Sequence, residues 1–582
     1  MADTQLVAPG RRPRTAPAAP PEDPAPAQWH RVLTLLAAIS LFIGTRTVWT
    51  QAATHRPAVA LVITACYASI LACGVLTVVV RRGRSLARVD LGVLLTAMTL
   101  TLCTWVMNHN GADEAVLTTQ AARELVAGHP VYGQPWPWLF GPGIALTPTV
   151  DGGYDYTYGY PPLAPLLTAP FLGLGHAGTP ATAVTTGALL VAVVTLWRML
   201  PVPWRSAATM VCLGFGFLPS YARLGYPAML GLALLVPVVV RWPRIGRGGR
   251  LGAAGIARAA CLGAACAAQQ LPWFVTPFLL VGLYAVRRGE LGARGAGLLL
   301  LRVLGIAAAT WLLINTYFIL HEPHTWFEGI LLLITQGAVL HGQGLNIVSL
   351  LLTDGSDRLD WYGHASALLL VGLLAVFLLF VRRLGPAATV LPWCAFYLAT
   401  RSQDGYYLLM TPLWLAAVVT APAAEFARAW QPRPRRLPSG RGRRPVLAAA
   451  GALLLAPALV SALIAATGTP PLRMRVTEVQ HATPSKVSLL TVSVTNTGDR
   501  ALTPHFMLTT GEGMGRYWSV LRGPVTLPAH GSAVYALRPP KGTFPVSRNN
   551  AKVRVRLRVF TGDPQTLSSI DVRHLLLRTP AR

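Results

Sequence analysis

The first feature that could carry chemistry is a pair of carboxylates, Asp113 and Glu114, in the polar stretch 108–160. Asp113 follows the apolar segment that ends at Met107, and the sequence DEAVLTTQAARELVA has the spacing of an amphipathic helix. Two interpretations of Asp113 are open. It can be the N-cap of that helix and accept the backbone N–H of Val116. Alternatively, it can be a general base whose pKa is tuned by burial at a membrane surface.

The second half of the same stretch, YDYTYGYPPL, places several tyrosines around one acid. Tyrosine combines an apolar ring with a polar hydroxyl, which suits both a membrane surface and a sugar ring. An aromatic belt at the membrane surface explains about half of these residues. The candidates for substrate contacts in this stretch are Glu114, His129, Tyr132, Tyr154, Asp155, Tyr158 and Tyr160.

The composition indicates that most of the chain faces lipid. Of 582 residues, 53% are hydrophobic and 12% are charged, whereas soluble domains carry roughly 25% charged residues. The net charge of +28 comes from arginines in short blocks between apolar segments. Such blocks orient membrane helices and differ from the continuous basic face that binds nucleic acid. From segment lengths we predict a polytopic α-helical membrane protein with about 13 transmembrane helices. The predicted segments include those near 31–49, 58–80, 90–107, 387–400 and 406–423.

The arginine blocks also predict the orientation of the chain in a plasma membrane. The block at 81–88 lies between the second and third apolar segments and places that turn in the cytoplasm. The loop 108–160 is therefore predicted to be extracytoplasmic. Residues 1–30, rich in Pro and Ala, are predicted to be a disordered cytoplasmic tail. Residues 31–466 are predicted to form the transmembrane domain, and the number of crossings between 161 and 241 is left open.

After the last apolar segment the sequence alternates apolar and polar residues, as in KVSLLTVSVTNTGD and AKVRVRLRVF. This pattern predicts an extracytoplasmic all-β sandwich domain over residues 467–582. Three arginines that alternate along one predicted strand, Arg554, Arg556 and Arg558, are interpreted as a solvated face. The domain can orient a glycan substrate, or it can be a cap that packs on the loop 108–160, the acidic loop.

Five short motifs together resemble a known family. An acid follows an early apolar segment, GHPVY ends the next helix at Gly128–Tyr132, and YGYPPL occupies Tyr158–Leu163. QLP follows at Gln270–Pro272, and NTYFILHEPHTWFEGILL precedes GQGL at Gly342–Leu345. Over roughly residues 30–425 the chain resembles the integral-membrane glycosyltransferases of the GT-C superfamily. It is most similar to the polyprenol-phosphate-mannose-dependent mannosyltransferases of actinobacteria.

This resemblance implies transfer of a sugar, with inversion, from a polyprenyl-phosphate donor to a hydroxyl group on the extracytoplasmic side. Asp113 stands at the position of the family's catalytic base. Mannose and arabinofuranose are both open as the donor sugar. The acceptor is a cell-wall or other cell-envelope glycan, a glycolipid or a protein. The alternative is a transporter or flippase for polyprenyl-linked glycans or lipids, whose charged residues would be expected at the membrane midplane.

A phosphate leaving group needs cations, and arginine matches its oxygens best. Arg223 in SYARLGYP and Arg401 in TRSQDGYY are the candidates, with ordinary interfacial arginines as the alternative. Gln270 and His324 are further candidates for the sugar pocket, although His324 is more typical of an interfacial histidine. The acids of YDYTYG supply too few oxygens for a hard cation. We therefore expect no metal and no cofactor besides the lipid-linked donor, with membrane lipids and a glycan acceptor as partners and no nucleic acid.

Overall fold

The computed structural model describes residues 25–141, 144–337, 339–432, 443–483, 485–511, 514–542, 544–545 and 555–572 of the chain. Within these residues a helical part is followed by a β part that begins at Leu472. The predictions made for the tail before residue 25, for most of the arginine block before α17 and for Arg554 lie outside the described residues.

Seventeen α-helices form the helical part of the described chain. The first nine are α1 (Gln28–His55), α2 (Pro57–Val79), α3 (Gly83–Met107), α4 (Asp113–Ala127), α5 (Leu163–Thr168), α6 (Thr179–Met199), α7 (Arg205–Leu213), α8 (Phe217–Leu224) and α9 (Ala228–Val239). The others are α10 (Gly252–Ala268), α11 (Leu271–His321), α12 (Pro323–Thr335), α13 (Asp360–Leu379), α14 (Val381–Leu384), α15 (Asp404–Leu408), α16 (Thr411–Thr420) and α17 (Arg443–Thr467).

Seven helices in the described part are long and apolar enough to cross a membrane: α1, α2, α3, α6, α11, α13 and the Ala448–Thr467 segment of α17. Several of them expose large apolar side chains; on α2, for example, Leu61 is 71% and Val78 68% exposed. Such apolar surface is stable next to lipid and unfavourable in water. The helices therefore support the prediction of a helical membrane protein.

The 13 predicted crossings are not established by these helices. The predicted segment 387–400 forms only a 3₁₀ helix over Leu391–Leu398, and the predicted segment 406–423 is divided between α15 and α16. Counting crossings from the lengths of apolar segments missed these interruptions. They coincide with Pro392 and Pro412 at the starts of new helical segments.

The longest helix, α11, is divided in two by one glycine. Its 51 residues would extend about 76 Å at 1.5 Å per residue, which is more than twice the roughly 30 Å of a bilayer core. The backbone leaves helical geometry at Gly292, where φ is +74°, a conformation that favours glycine. We refer to residues 293–321 as the second segment of α11.

The β part contains two antiparallel sheets. One has the order β4 (Leu472–Thr483), β5 (Lys486–Asn496), β8 (Ser532–Arg538), β7 (Ser519–Arg522), with β9 (Phe544–Pro545) on β5. The other contains β6 (His505–Thr510), β10 (Val555–Thr561) and β11 (Thr566–Asp571). Val492 of the first sheet and Phe506 and Leu557 of the second belong to one buried cluster, as in a sandwich. The β-rich C-terminal region predicted from the sequence is thus confirmed.

The helical part contributes a strand to the second sheet. β2 (Gly355–Ser356), which precedes α13, pairs with Leu567 and Ser568 of β11. The alternation of apolar and polar residues could not predict β2, because a strand of two residues is too short to show it. The two parts of the chain are therefore joined by backbone hydrogen bonds.

The prediction of a solvated arginine face is wrong for Arg556 and Arg558, which are 9% and 2% exposed. Nη1 of Arg556 donates to the carbonyls of Leu350 at 3.2 Å and Thr353 at 3.1 Å, and Nη2 of Arg558 donates to Leu350 at 3.4 Å. These carbonyls lie at the end of a single π-helical turn, Val348–Leu352. The strand's cations are buried because this loop supplies them with hydrogen-bond acceptors.

Candidate active site

The start of α4 does not use the carboxylate of Asp113 as a cap. Ala112 is the N-cap residue, and its carbonyl accepts the N–H of Val116 at 3.2 Å. The N–H of Ala112 donates to the carbonyl of Leu224 at the end of α8. Oδ1 of Asp113 accepts the N–H of the next residue, Glu114, at 3.0 Å. The N-cap interpretation of Asp113 is therefore wrong.

Asp113 lies deep in the protein together with Asp155 and Arg401. Burial raises the pKa of Asp113, while the N–H of Glu114 and the charge of Arg401 lower it. Burial likewise raises the pKa of Asp155, against hydrogen bonds from Thr157 and the charge of Arg401. All three side chains still keep some accessible surface. Carboxylates with raised pKa values beside one cation are typical of acid–base sites.

Glu114, the residue after Asp113, is an acid with a strongly raised pKa. Burial, and then the charge of Asp113, raise the pKa of Glu114 to about 8. The hydroxyl of Tyr160 lies beside its carboxyl group, and Oε2 of Glu114 has no hydrogen-bond partner among the described residues. At neutral pH the Glu114 carboxyl group is therefore largely protonated and can donate a hydrogen bond.

The pKa of Glu114 is higher in the folded protein than in the unfolded chain, and this difference predicts how stability depends on pH. The folded protein binds a proton at Glu114 that the unfolded chain releases near its ordinary value of 4.5, so stability is lost as pH rises from about 4.5 to about 8. In Glu114→Gln this loss is absent. We expect the melting temperature of the variant, relative to the wild type, to rise by a few °C between pH 5 and pH 9.

Thermal unfolding of the detergent-solubilised protein at a series of pH values measures this effect. Glu328→Gln is the matched control, because that side chain is 67% exposed. Melting curves of Glu114→Gln that run parallel to those of the wild type at every pH would show that Glu114 is not protonated in the folded state.

Arg401 is a buried cation with unused hydrogen-bonding capacity. No ion pair within 4.0 Å joins it to Asp113, Glu114 or Asp155, all of which are described residues, and its Nε has no hydrogen-bond partner among them. Burial acts to lower the pKa of Arg401, but Tyr406, Tyr160 and the nearby carboxylates raise it above its usual value. The guanidinium group is thus always charged and free to bind an anion.

Arg401 is held by the GQGL motif. β3 (Arg401–Ser402) pairs in parallel with β1 (His341–Gly342). The Nδ2 of Asn346 donates to the carbonyls of His341 at 2.9 Å and Thr400 at 2.7 Å. Two segments far apart in the sequence are therefore fixed side by side, and this pairing sets the position of the guanidinium group.

Gly342 permits this pairing because it has no side chain. Its φ is +106°, and an added Cβ would lie 2.1 Å from the carbonyl oxygen of Ser402. We expect Gly342→Ala to separate the two segments, displace Arg401 and lower activity at least about 100-fold.

Gly363→Ala on α13 is the control, because nothing lies within 4 Å of its added Cβ. Activity measured on membranes with equal amounts of folded protein compares the two variants. Equal activity of Gly342→Ala and the control would mean that the pairing does not position Arg401.

The tyrosines of the acidic loop mainly hold its shape. The hydroxyl of Tyr132 donates to the carbonyl of Tyr160 at 2.8 Å, and that of Tyr158 donates to Pro161 at 3.2 Å. Nε2 of Gln270 donates to the carbonyls of Gly159 and Ile330, each at 2.8 Å. Of these predicted contact residues, Tyr158 and Tyr160 lie near the carboxyl group of Glu114. The others position the loop, and Oε1 of Gln270 remains without a partner among the described residues.

Tyr154 connects the loop to the β part. The N–H of Tyr517 donates to the Tyr154 hydroxyl at 2.7 Å, and the Tyr517 hydroxyl donates to the carbonyl of Thr149 at 2.6 Å. Within the same loop the N–H of Asp155 donates to the carbonyl of Thr147 at 2.9 Å, and the Thr147 side chain lies beside Asp113. The β part therefore packs on the loop that carries the acids, as the cap interpretation requires.

Two predicted site residues lie outside this cluster. His129 is 66% exposed and pairs with Glu124 at 2.9 Å, beyond the far end of α4 and about 21 Å along its axis from Asp113. His324 is 85% exposed and lies 3.5 Å from Glu328. The structure does not bring either histidine to the acids. The sequence placed them there only because they adjoin the motifs.

Arg223 lies nearer to the acids. It precedes Leu224, whose carbonyl accepts the N–H of Ala112, and burial lowers its pKa. No hydrogen bond or ion pair of Arg223 is formed with the described residues, so it is available as a second cation. Its guanidinium group is only half buried, which makes Arg401 the principal candidate for anion binding.

Sequence reasoning missed several residues around the acids. Tyr226 and Tyr406 lie beside the cluster, because the charges of Glu114 and Asp113 act on Tyr226 and Tyr406 acts on Arg401. Both tyrosines occur in the arginine motifs SYARLGYP and TRSQDGYY, whose aromatic residues were the available signal. Glu322 was also missed; its carboxylate accepts the N–H of Tyr132 at 2.9 Å and anchors the end of the GHPVY motif.

Within the described residues, no group of three or more His, Cys, Asp or Glu side chains is arranged to hold a metal ion. The expected independence of a metal stays a prediction. No model of a known protein family matches the chain, and no curated protein sequence matches it. The resemblance to the GT-C superfamily therefore rests on the sequence motifs.

Proposed function

We propose that the chain transfers a sugar from a polyprenyl-phosphate donor to a hydroxyl of a cell-envelope glycan or glycolipid, with inversion. The observation that carries this proposal is the cluster of Asp113, Glu114 and Asp155, three acids on which the charge of Arg401 acts without an ion pair within 4.0 Å. Arg401 can bind the donor phosphate while Asp113 activates the acceptor. A protein that only anchors the β part to a membrane would not need such a cluster.

The reaction is a single displacement. The acceptor hydroxyl gives its proton to the Asp113 carboxylate while its oxygen bonds to the anomeric carbon of the sugar. The bond from that carbon to the phosphate oxygen breaks, and its electron pair leaves with the polyprenyl phosphate. Arg401 stabilises the charge that develops on this phosphate. Protonated Glu114 donates a hydrogen bond to the sugar or the phosphate.

We also propose how the chain is oriented in the membrane. The arginine blocks favour a cytoplasmic N-terminus and an extracytoplasmic acidic loop. The β part contacts that loop through Tyr517, so it belongs on the same side. About 13 crossings of a plasma membrane agree with this arrangement if α11 crosses twice and short helices between α6 and α16 add the others.

A transfer assay in vesicles tests the function. The purified protein is reconstituted with a radiolabelled polyprenyl-phosphate mannose or arabinofuranose and with lipid and glycan acceptors from an actinobacterial envelope. We expect label in the acceptor and one polyprenyl phosphate released for each sugar transferred. Label that changes leaflet while still attached to the polyprenyl phosphate would instead indicate a flippase.

We expect transfer to proceed without a divalent cation. The cluster supplies Arg401 for the phosphate, so no metal is needed to neutralise the leaving group. Initial rates in excess EDTA should equal those in buffer with Mg²⁺ or Mn²⁺ within a factor of about two. Inhibition by EDTA that Mg²⁺ or Mn²⁺ reverses would overturn the metal-independent mechanism.

A further inference from the structure

A groove of about 570 Å³ lies between α10 and the second segment of α11. Its apolar lining includes Leu251, Ile256 and Ile306, and its cations are Arg250 and Arg302. None of these residues belongs to the acidic cluster, which consists of Asp113, Glu114, Asp155 and Arg401. The volume is within the range of small-ligand sites in proteins, roughly 300–1,000 Å³.

The groove exists because two helices touch at one point and separate from there. Gly263 of α10 packs on the second segment of α11, where an added Cβ would lie 2.1 Å from the carbonyl oxygen of Ala307. The groove lies on the N-terminal side of this contact. The loop before α10 packs on the same helix through Gly246, whose added Cβ would lie 2.3 Å from Cδ2 of Leu299. These close contacts of two glycines with the second segment of α11 make the groove a defined feature of the fold.

The two arginines of the groove lack protein partners. Neither Arg250 nor Arg302 forms a hydrogen bond or ion pair with a described residue, and both are exposed. Arg302 lies on an apolar face, next to Leu298 and Leu301, which are 52% and 65% exposed. A charged side chain within a membrane-spanning helix costs about 2.5–3.5 kcal/mol unless it finds a partner or reaches the membrane surface.

We propose that this groove binds an anionic phospholipid. The phosphate contacts the guanidinium groups of Arg250 and Arg302, and an acyl chain lies along Leu251, Ile256 and Ile306. Arginine pairs strongly with phosphate oxygens, and basic pockets between membrane helices suit anionic head groups. The described lining contains no carboxylate that could act as a base, so the lipid is bound and not converted.

The experiment compares the full-length protein in nanodiscs of phosphatidylcholine alone and of phosphatidylcholine with phosphatidylglycerol. We expect phosphatidylglycerol to raise the melting temperature of the wild type by about 2–5 °C. In the double variant Arg250→Gln with Arg302→Gln this gain should fall below half. Native mass spectrometry should show fewer retained phosphatidylglycerol molecules on the double variant than on the wild type.

The control is Arg383→Gln on α14, which removes one positive charge from an exposed side chain outside the groove. It should keep the full gain. Arg302→Lys should keep most of it, since lysine also binds phosphate, and this distinguishes lost binding from misfolding. The proposal is overturned if the double variant keeps both the gain and the bound lipid, or if the wild type shows no preference. It is also overturned if polyprenyl phosphate displaces phosphatidylglycerol from the groove.

Discussion

Asp113→Asn is expected to lower the rate of sugar transfer by about 10²–10⁴-fold, the range of a general base. Asparagine has the same shape, and its Oδ1 can still accept the N–H of Glu114 that the structure shows at 3.0 Å. The start of α4 depends on the backbone of Ala112, so the fold should remain. The variant therefore removes the proton acceptor and little else.

The same substitution at Asp151 is the matched control, because Asp151 lies in the same loop and is exposed. Initial rates at saturating donor and acceptor, with equal amounts of folded protein, compare the two. Asp151→Asn should keep the wild-type rate within a factor of about three. If Asp113→Asn also keeps it, Asp113 is not the base.

Arg401→Gln is the second variant with a large expected effect. Removing one partner of a buried charged contact costs about 2–5 kcal/mol, or roughly 30- to 5,000-fold in kcat/KM for the donor. The loss has two parts. The phosphate loses its cation, and the pKa of Asp113 rises because Arg401 now lowers it. The acidic limb of the pH–rate profile should therefore move to higher pH, which a merely structural defect would not produce.

Arg401→Lys separates charge from geometry. Lysine retains the charge but cannot bind two phosphate oxygens as a planar fork, so we expect intermediate activity and little change in the pH profile. Arg383→Gln, on an exposed side chain, should behave as the wild type. If Arg401→Gln changes neither the KM for the donor nor the pH profile, the phosphate is bound elsewhere.

The sequence predicted the parts of the fold that depend on local pattern. Hydropathy identified the helices α1, α2 and α3, although α1 and α3 extend several residues beyond the predicted segments, and alternation identified the β part. The count of crossings was less secure, because length alone does not show that proline interrupts the segment near Leu391–Leu398. Periodicity also gave no sign that Arg556 is buried, since its acceptors are carbonyls more than two hundred residues away.

The sequence likewise predicted only part of the candidate site. Asp113 and Arg401 were found from residue type and from their place at the ends of apolar segments. Their approach depends on contacts between distant segments, such as the pairing of β1 with β3 and the hydrogen bond from Ala112 to Leu224. His129 was misplaced because neighbours in a motif need not be neighbours in space.

Complementation of a deletion strain asks whether the cluster of Asp113, Glu114, Asp155 and Arg401 carries out a sugar transfer in the cell. The lipid-linked and cell-wall glycans of the organism that encodes the chain are profiled after the gene is deleted and replaced by the wild type or by Asp113→Asn. We predict one truncated glycan in the deletion strain, its loss with the wild type and its persistence with Asp113→Asn. Unchanged glycans after deletion, or full restoration by Asp113→Asn, would contradict the account.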